Sequence, residues 1–232
     1  PPRNSNNKVV LLQTAKAIVS SNDSPDNNWE TVRVIFDCCS QKSFVTNKLR
    51  TRLNAPTVKS ETLRINTFAS TTARVEKVDV VDLKVKNCKN TSNNIIQACV
   101  VPVICTPLDN QCINFAKQKY DVLKEIGLAD EDVSGNTTKD VDILIGADHF
   151  YEFVTGRILR LDGLTAVHTT LGWVLSGTVN APEQAVSTNL AFTTHVLQIE
   201  AESSPDCNFE KFWDIEGVGS DEPDAFNSES YI

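Results

Sequence analysis

The chain has 232 residues, a net charge of −8 and a hydrophobic fraction of 41%, enough for a sizeable core. The acidic balance without a basic cluster argues against nucleic acid or an anionic membrane surface as partner. No run of eighteen apolar residues and no signal-peptide pattern is present, so we expect a cytoplasmic chain without a membrane span. The seven cysteines show no paired spacing and predict free thiols.

Most apolar segments are short or alternate with polar residues, which predicts strands, and a few have helical spacing. The chain is therefore predicted to be mostly β with a few short helices. The predicted strands cover residues 9–19, 29–36, 63–68, 73–85, 95–104, 141–145, 157–161 and 166–176. The predicted helices cover residues 43–53, 115–128 and 149–154. A polar turn joins the first two strands into a hairpin that leads directly to an acidic residue, Asp37.

Composition divides the chain into four parts. Residues 1–8 are a polar lead-in that we expect to be disordered, and residues 9–178 form the predicted folded domain. Residues 179–206 lose periodicity and predict a linker, and residues 207–232 predict a short helix with an acidic tail leading towards a downstream domain. Because the chain contains no methionine, we interpret it as a piece of a longer polyprotein.

The predicted strand at residues 29–36 ends at Asp37, which is followed by the small or polarisable residues Cys38, Cys39 and Ser40. A sheet holds an acid at the end of a core strand rigidly while the carboxylate faces outward, and folds present catalytic carboxylates in this way. Alternatively, Asp37 only caps the turn or the helix that follows. The second half of the chain favours the catalytic interpretation.

Two segments of the second half carry a family resemblance, DILIGAD at residues 142–148 and LGWVLSG at residues 171–177. Together with FDCCS at residues 36–40, they resemble retropepsin-like aspartic proteases and, more closely, the peptidase domain of Pao/BEL-type retrotransposon polyproteins. Shorter matches lie at residues 9–12, 14–15, 100–102, 127–130 and 154–156. The resemblance extends over residues 9–216.

The resemblance implies a closed, retropepsin-like β barrel that acts as a homodimer. It implies an aspartic endopeptidase in which two carboxylates share one proton across a bound water. Asp37 would be the catalytic aspartate, supported by Cys38, Cys39 and Ser40, with Gly146 in the bracing strand. We expect no cofactor and no metal.

The count of suitable acids predicts where the second carboxylate comes from. Four other acids lie in or beside predicted strands: Asp82, Asp140, Asp142 and Asp162. The first three lack a following turn of small residues, and Asp162 lies between two late strands. Asp148 follows the glycine of its strand, and we interpret it as a helix N-cap or a cross-strand partner. The second carboxylate is therefore expected from Asp37 of a second copy, across a two-fold axis.

A flap is expected to cover the substrate, an extended polypeptide that adds as a strand beneath it. The predicted flap residues are Phe68, Ala69, Ser70, Thr71 and Thr72. The resemblance implies that the substrate is the chain's own polyprotein, processed in the cytoplasm, including within virus-like particles.

The turn departs from the family pattern, in which Ser or Thr and then Gly follow the acid. A thiol at Cys38 is a weaker hydrogen-bond donor than a hydroxyl, and the side chain of Cys39 predicts strain or crowding against the partner copy. These changes leave a second reading open, a catalytically silent module that dimerises or binds peptide.

A metal site or a reactive thiol at the two cysteines is disfavoured. The sequence shows no His/Cys cluster with metal-ligand spacing, and nothing in it places a base beside either thiol. His149, His168 and His195 are isolated in the sequence and are interpreted as surface or core histidines.

Overall fold

The computed structural model describes residues 7–23, 28–65, 74–89, 91–108, 111–131 and 140–181. The predicted flap at residues 68–72 lies outside these ranges, as do His195, nearly all of the predicted linker and the whole of residues 207–232. No helix in the described ranges is long and apolar enough to cross a membrane.

Strands dominate the described part of the chain. The strands are β1 (Asn7–Leu11), β2 (Thr14–Ser21), β3 (Glu30–Phe36), β4 (Phe44–Thr46), β5 (Lys59–Ile65), β6 (Arg74–Asn87), β7 (Asn94–Val101), β8 (Ile143–Ile145), β9 (Val154–Leu161), β10 (Leu164–Thr169) and β11 (Gly172–Ala181). The helices are α1 (Asn47–Arg52), α2 (Gln111–Lys119), α3 (Val122–Glu125) and α4 (Ala147–Phe153).

Six strands close into a barrel in the order β2-β3-β8-β4-β7-β6, because β6 also pairs with β2. β5 extends this sheet as the antiparallel neighbour of β6. Burying one face of each strand removes apolar side chains from water, which is the main stabilising term for such a core. The largest fully buried side chains of the barrel core include Phe153, Leu49, Leu53, Ile143 and Ile145. The expected mostly β, closed barrel with a few short helices is thus confirmed.

A second sheet has the order β1-β11-β10-β9 and is antiparallel throughout. The insertion between β7 and β8, which contains α2 and α3, packs against one face of it. The buried side chains of this second core are Leu11, Ile113, Ala116, Leu123, Leu128, Leu164, Ala166, Leu175 and Val179. Trp173 of β11 packs against this core.

Residues 127–130 connect the two sheets. The Lys16 amide of β2 donates to the Ala129 carbonyl at 2.7 Å, and the Ala129 amide donates to the Trp173 carbonyl at 2.8 Å. This short segment is therefore a backbone bridge between the barrel and the second sheet.

Two predicted strands are each divided in the structure. Residues 9–19 were expected to form one strand, but β1 and β2 belong to different sheets, and β1 begins at Asn7, inside the expected disordered lead-in. Residues 166–176 are interrupted by a turn before Gly172, whose φ of 122° favours glycine. β10 and β11 therefore form a hairpin.

Two predicted helices also differ from the structure. In residues 43–53, the first apolar residues form the buried strand β4 and only Asn47–Arg52 is helical. The Thr46 side chain caps α1 by accepting a hydrogen bond from the Leu49 amide at 3.2 Å. The helix predicted over residues 115–128 is two short helices, α2 and α3.

Candidate active site

Asp37 lies at the carboxyl end of β3, beside the carboxyl end of β8. These strands are parallel neighbours, with Phe36 opposite Ile145. The Asp37 amide donates to the Ile145 carbonyl at 2.9 Å, so the acid is fixed to the end of the sheet. This arrangement places Asp37 next to Gly146, the first residue after β8.

The turn from Asp37 to Ser43 crosses the end of β8, because β4 pairs with β8 on its other side. Three hydrogen bonds fix this turn. The Ala147 amide donates to the Ser40 carbonyl at 2.7 Å and the Gly146 amide donates to Ser43 Oγ at 3.0 Å. Buried Ser40 also donates its hydroxyl to the Lys42 carbonyl at 2.8 Å.

Gly146 fits here because of its size rather than its backbone angles. A Cβ at this position would lie 2.3 Å from the Lys42 carbonyl oxygen and 2.8 Å from the Ser40 carbonyl oxygen. Both distances are too short, and both contacts are with backbone that cannot swing away. Any side chain at residue 146 would therefore displace the turn that carries Asp37.

Asp148 braces the same turn from α4. One of its carboxylate oxygens accepts from the Ser43 amide at 3.0 Å and the other from Ser43 Oγ at 2.7 Å. Gly146, not Asp148, is the N-cap residue of α4, so of the two predicted structural roles the cross-strand partner is the one seen. Both oxygens are occupied, which leaves Asp148 poorly suited to act on a substrate.

The Asp37 carboxylate is more available for binding a ligand than that of Asp148. It is half-buried, and its Oδ1 accepts a hydrogen bond from the Cys39 amide at 3.0 Å. No donor among the described residues binds Oδ2. By contrast, buried Asp142 accepts hydrogen bonds from Thr46 and Arg52. The turn therefore presents one oriented carboxylate. Its Oδ2, which no described donor occupies, can bind a water or share a proton with a second acid.

Cys38 and Cys39 are both exposed on this turn. Among the described residues, Asn54 is the one non-glycine with a positive φ, so the expected backbone strain at Cys39 is absent within a single chain. Its amide still reaches Asp37, as the glycine of the family pattern would. Crowding of Cys39 against a partner copy, and weaker bracing of the two acids by Cys38, remain predictions.

The electrostatics of the turn disfavour a thiolate at Cys39. The negative charge of Asp37, and after it the neighbouring Cys38, raises the pKa of the Cys39 thiol. Neither of the two described histidines is hydrogen-bonded to a cysteine of the turn: His149 pairs with Glu152, and His168 contacts Thr155. A cysteine nucleophile activated by histidine is therefore not supported by these residues.

A buried ion pair anchors the chain behind Asp37. Arg33 of β3 donates through Nε and Nη2 to Asp130 Oδ2, at 3.0 and 2.7 Å, and through Nη1 to the Leu108 carbonyl at 2.6 Å. Thr14 Oγ1 donates to the same carboxylate oxygen. Reasoning from sequence did not identify this cluster, although an arginine inside an apolar strand is a signal that a buried partner is required.

The described residues contain no group of three or more His, Cys, Asp or Glu side chains arranged to hold a metal ion. Of the residues predicted to form the site, the structure brings together Asp37, Cys38, Cys39, Ser40 and Gly146 on one turn and the strand end beneath it. The five predicted flap residues lie outside the described ranges.

Comparison with protein-family models identifies the family of the chain, and a search of solved structures gives a distant similarity. A crystal structure of a retropepsin-like aspartic protease from Rickettsia conorii is similar to the chain at 14% identity and a TM-score of 0.29, over 75% of this chain and 93% of that one. No curated protein matches the chain. A family model described as "Putative peptidase (DUF1758)" matches residues 18–187, which include Asp37 and Gly146. The chain belongs to this peptidase family.

Proposed function

We propose that the chain is an aspartic endopeptidase whose catalytic group is Asp37. The observation that carries the proposal is the Asp37 carboxylate itself. It is fixed at a strand end and oriented by the Cys39 amide, and no donor from the described part of the chain binds its Oδ2. Membership of a peptidase family makes amide hydrolysis the natural use of such a group.

One described turn supplies one carboxylate, so we propose that two copies pair with their Asp37 residues facing across a two-fold axis. Two close carboxylates cannot both ionise easily, and they therefore share one proton. The ionised acid takes a proton from the bound water as the water oxygen attacks the peptide carbonyl. The protonated acid donates its proton to the carbonyl oxygen. The acid that took the water proton then gives it to the amide nitrogen as the C–N bond breaks, and the other acid takes a proton back from a hydroxyl of the tetrahedral intermediate.

The proposed substrate is a polypeptide in extended conformation that adds as a strand beside the active-site turn. The resemblance to Pao/BEL-type polyproteins favours the chain's own polyprotein as this substrate. That origin also favours a role in the cytoplasm or in virus-like particles.

The proposal predicts a pH profile that can be measured with a synthetic peptide of residues 205–232. We expect kcat/KM to form a bell with its maximum at mildly acidic pH, because the active form has one carboxyl ionised and the other protonated. A peptide analogue with a hydroxyl at the scissile position should inhibit, since it imitates the tetrahedral transition state. Cleavage that rises continuously to alkaline pH would contradict an aspartic mechanism.

A catalytically silent peptide-binding dimer is the second candidate, favoured by the cysteines at positions 38 and 39. The same assay separates the two. If the folded dimer binds the polypeptide without cutting it at any pH, the silent module is correct.

A further inference from the structure

Helix α4 contacts the chain on both sides of Asp37. On the side before Asp37, the ring of Phe36 packs edge-on against Phe150 and Phe153, with ring centroids 6.1 and 5.7 Å apart. Phe153 is fully buried in the barrel core, which fixes the helix there. On the side after Asp37, the turn is hydrogen-bonded to Asp148 of the same helix. The helix is therefore placed to hold Asp37 in position.

We propose that Asp148 is a positioning residue for the reaction at Asp37 and that it acts through Ser43. The inference rests on the proposed function, since it assigns a role in that same reaction. In this role Asp148 makes no contact with the substrate: its carboxylate holds the turn, and the turn holds Asp37. Loss of the Asp148 carboxylate should therefore slow the chemical step while leaving substrate binding nearly unchanged.

The hydrogen bonds at Ser43 form a directed chain that ends on Asp148. The Gly146 amide donates to Ser43 Oγ at 3.0 Å, and the Ser43 hydroxyl donates in turn to Asp148 Oδ1 at 2.7 Å. The Ser43 amide donates to Asp148 Oδ2 at 3.0 Å. Ser43 is completely buried, so removing the carboxylate would leave two of its donors without these acceptors and away from water. The turn would have to move for them to find other acceptors.

A movement at Ser43 would reach Asp37 because only five residues separate the two. Within that short turn, the Ser40 amide donates to the Asp37 carbonyl at 3.2 Å, and the Cys39 amide orients the Asp37 carboxylate at 3.0 Å. A displacement of about 1 Å caused by a mutation away from the reacting atoms can reduce a rate by about 100-fold. We therefore expect Asp148→Ala to lower kcat by about 10- to 100-fold.

Two further variants of α4 make the comparison specific. Asparagine has one acceptor oxygen and one amide donor, so Asp148→Asn no longer offers a separate oxygen to each Ser43 donor. Its kcat should lie between those of wild type and Asp148→Ala. Glu152→Ala is the matched control, because Glu152 lies on the same helix, pairs with His149 at 3.1 Å and has a side chain that is 52% exposed. This control should keep kcat within about twofold of wild type.

The test measures kcat and KM on the synthetic peptide of residues 205–232, at a chain concentration above which specific activity no longer rises, so that weaker pairing of chains does not contribute. Asp148→Ala should lower kcat while KM changes by less than about threefold. Ser43→Ala should also lower kcat, and the double variant should lose little more than Asp148→Ala alone, because the two residues act as one unit. Circular dichroism at the assay temperature tests whether each variant is folded.

A second measurement does not depend on cleavage. The NMR chemical shift of the Cys39 amide proton reports the hydrogen bond to Asp37, and hence the position of the carboxylate. This shift should change in Asp148→Ala and keep its wild-type value in Glu152→Ala. If Asp148→Ala does not fold, Asp148→Asn is compared with the control instead.

Three results would overturn the proposal: a folded Asp148 variant with wild-type kcat, a loss confined to KM, or losses that add in the double variant with Ser43→Ala. A wild-type chain that cuts nothing refutes the proposed function instead. In that case the Cys39 amide alone decides, and an unchanged shift in the Asp148 variant would show that Asp148 does not position Asp37.

Discussion

Replacing Asp37 with asparagine should reduce kcat/KM by at least about 10⁴-fold, the upper range for loss of general acid–base catalysis. Asparagine keeps an oxygen that can accept the Cys39 amide, so the turn should hold its shape. It cannot take a proton from water or return one, so both catalytic roles are lost. Steady-state kinetics on the synthetic peptide of residues 205–232 measure the effect, and circular dichroism tests whether the fold is retained.

A matched variant controls for the change from acid to amide. Asp82 of β6 accepts a hydrogen bond from Gln97 at 3.0 Å and lies outside the active-site turn. Asp82→Asn should therefore leave kcat/KM within about twofold of wild type, as expected for a substitution away from the chemistry. Comparable losses in the two variants, or substantial cleavage by Asp37→Asn, would remove Asp37 from the catalytic role.

Replacing Asp130 with alanine should lower the free energy of unfolding by about 3–5 kcal/mol, the usual cost of breaking a buried ion pair by removing one partner. The side chains of Arg33 and Asp130 are 4% and 2% exposed. Without Asp130, the Arg33 guanidinium would be left charged in the core with the Leu108 carbonyl as its remaining described partner. Chemical denaturation monitored by tryptophan fluorescence measures the loss.

Asp140→Ala is the matched control, because Asp140 pairs with Lys48 at 3.4 Å while both side chains are more than half exposed. An exposed pair of this kind contributes about 0–1 kcal/mol. In addition, replacing Arg33 and Asp130 together with Met and Leu should recover much of the stability lost in Asp130→Ala, since no unpaired charge remains. Equal stabilities of Asp130→Ala and Asp140→Ala would show that the buried pair contributes little.

The sequence predicted the active-site turn because the signals are local. An apolar run that ends at Asp37, and a second that ends at Gly146, can each be recognised within a few residues. Both runs are strands, and they are parallel neighbours. The mostly β character likewise followed from the short apolar runs, and the closed barrel followed from the resemblance.

The side-chain contacts that brace the active-site turn and β3 could not be predicted from local sequence patterns. Ser43 and Asp148 are 105 residues apart, and Arg33 and Asp130 are 97 apart, so no periodicity connects them. The division of residues 9–19 into β1 and β2 was also hidden, since an apolar pattern does not tell which sheet a strand joins. Gln13 lies between the two strands, where the chain passes from one sheet to the other. Its carbonyl accepts a hydrogen bond from the Phe36 amide at 2.8 Å.

The central claim is that each active site needs Asp37 from two chains, and mixing wild-type chain with Asp37→Asn tests it most directly. The two forms are combined at constant total concentration and allowed to exchange partners before cleavage is measured. If both carboxylates are required, activity follows the square of the wild-type fraction, and an equal mixture retains about a quarter. A linear decline, with half the activity in the equal mixture, would show that each chain works alone and would contradict the paired-aspartate mechanism.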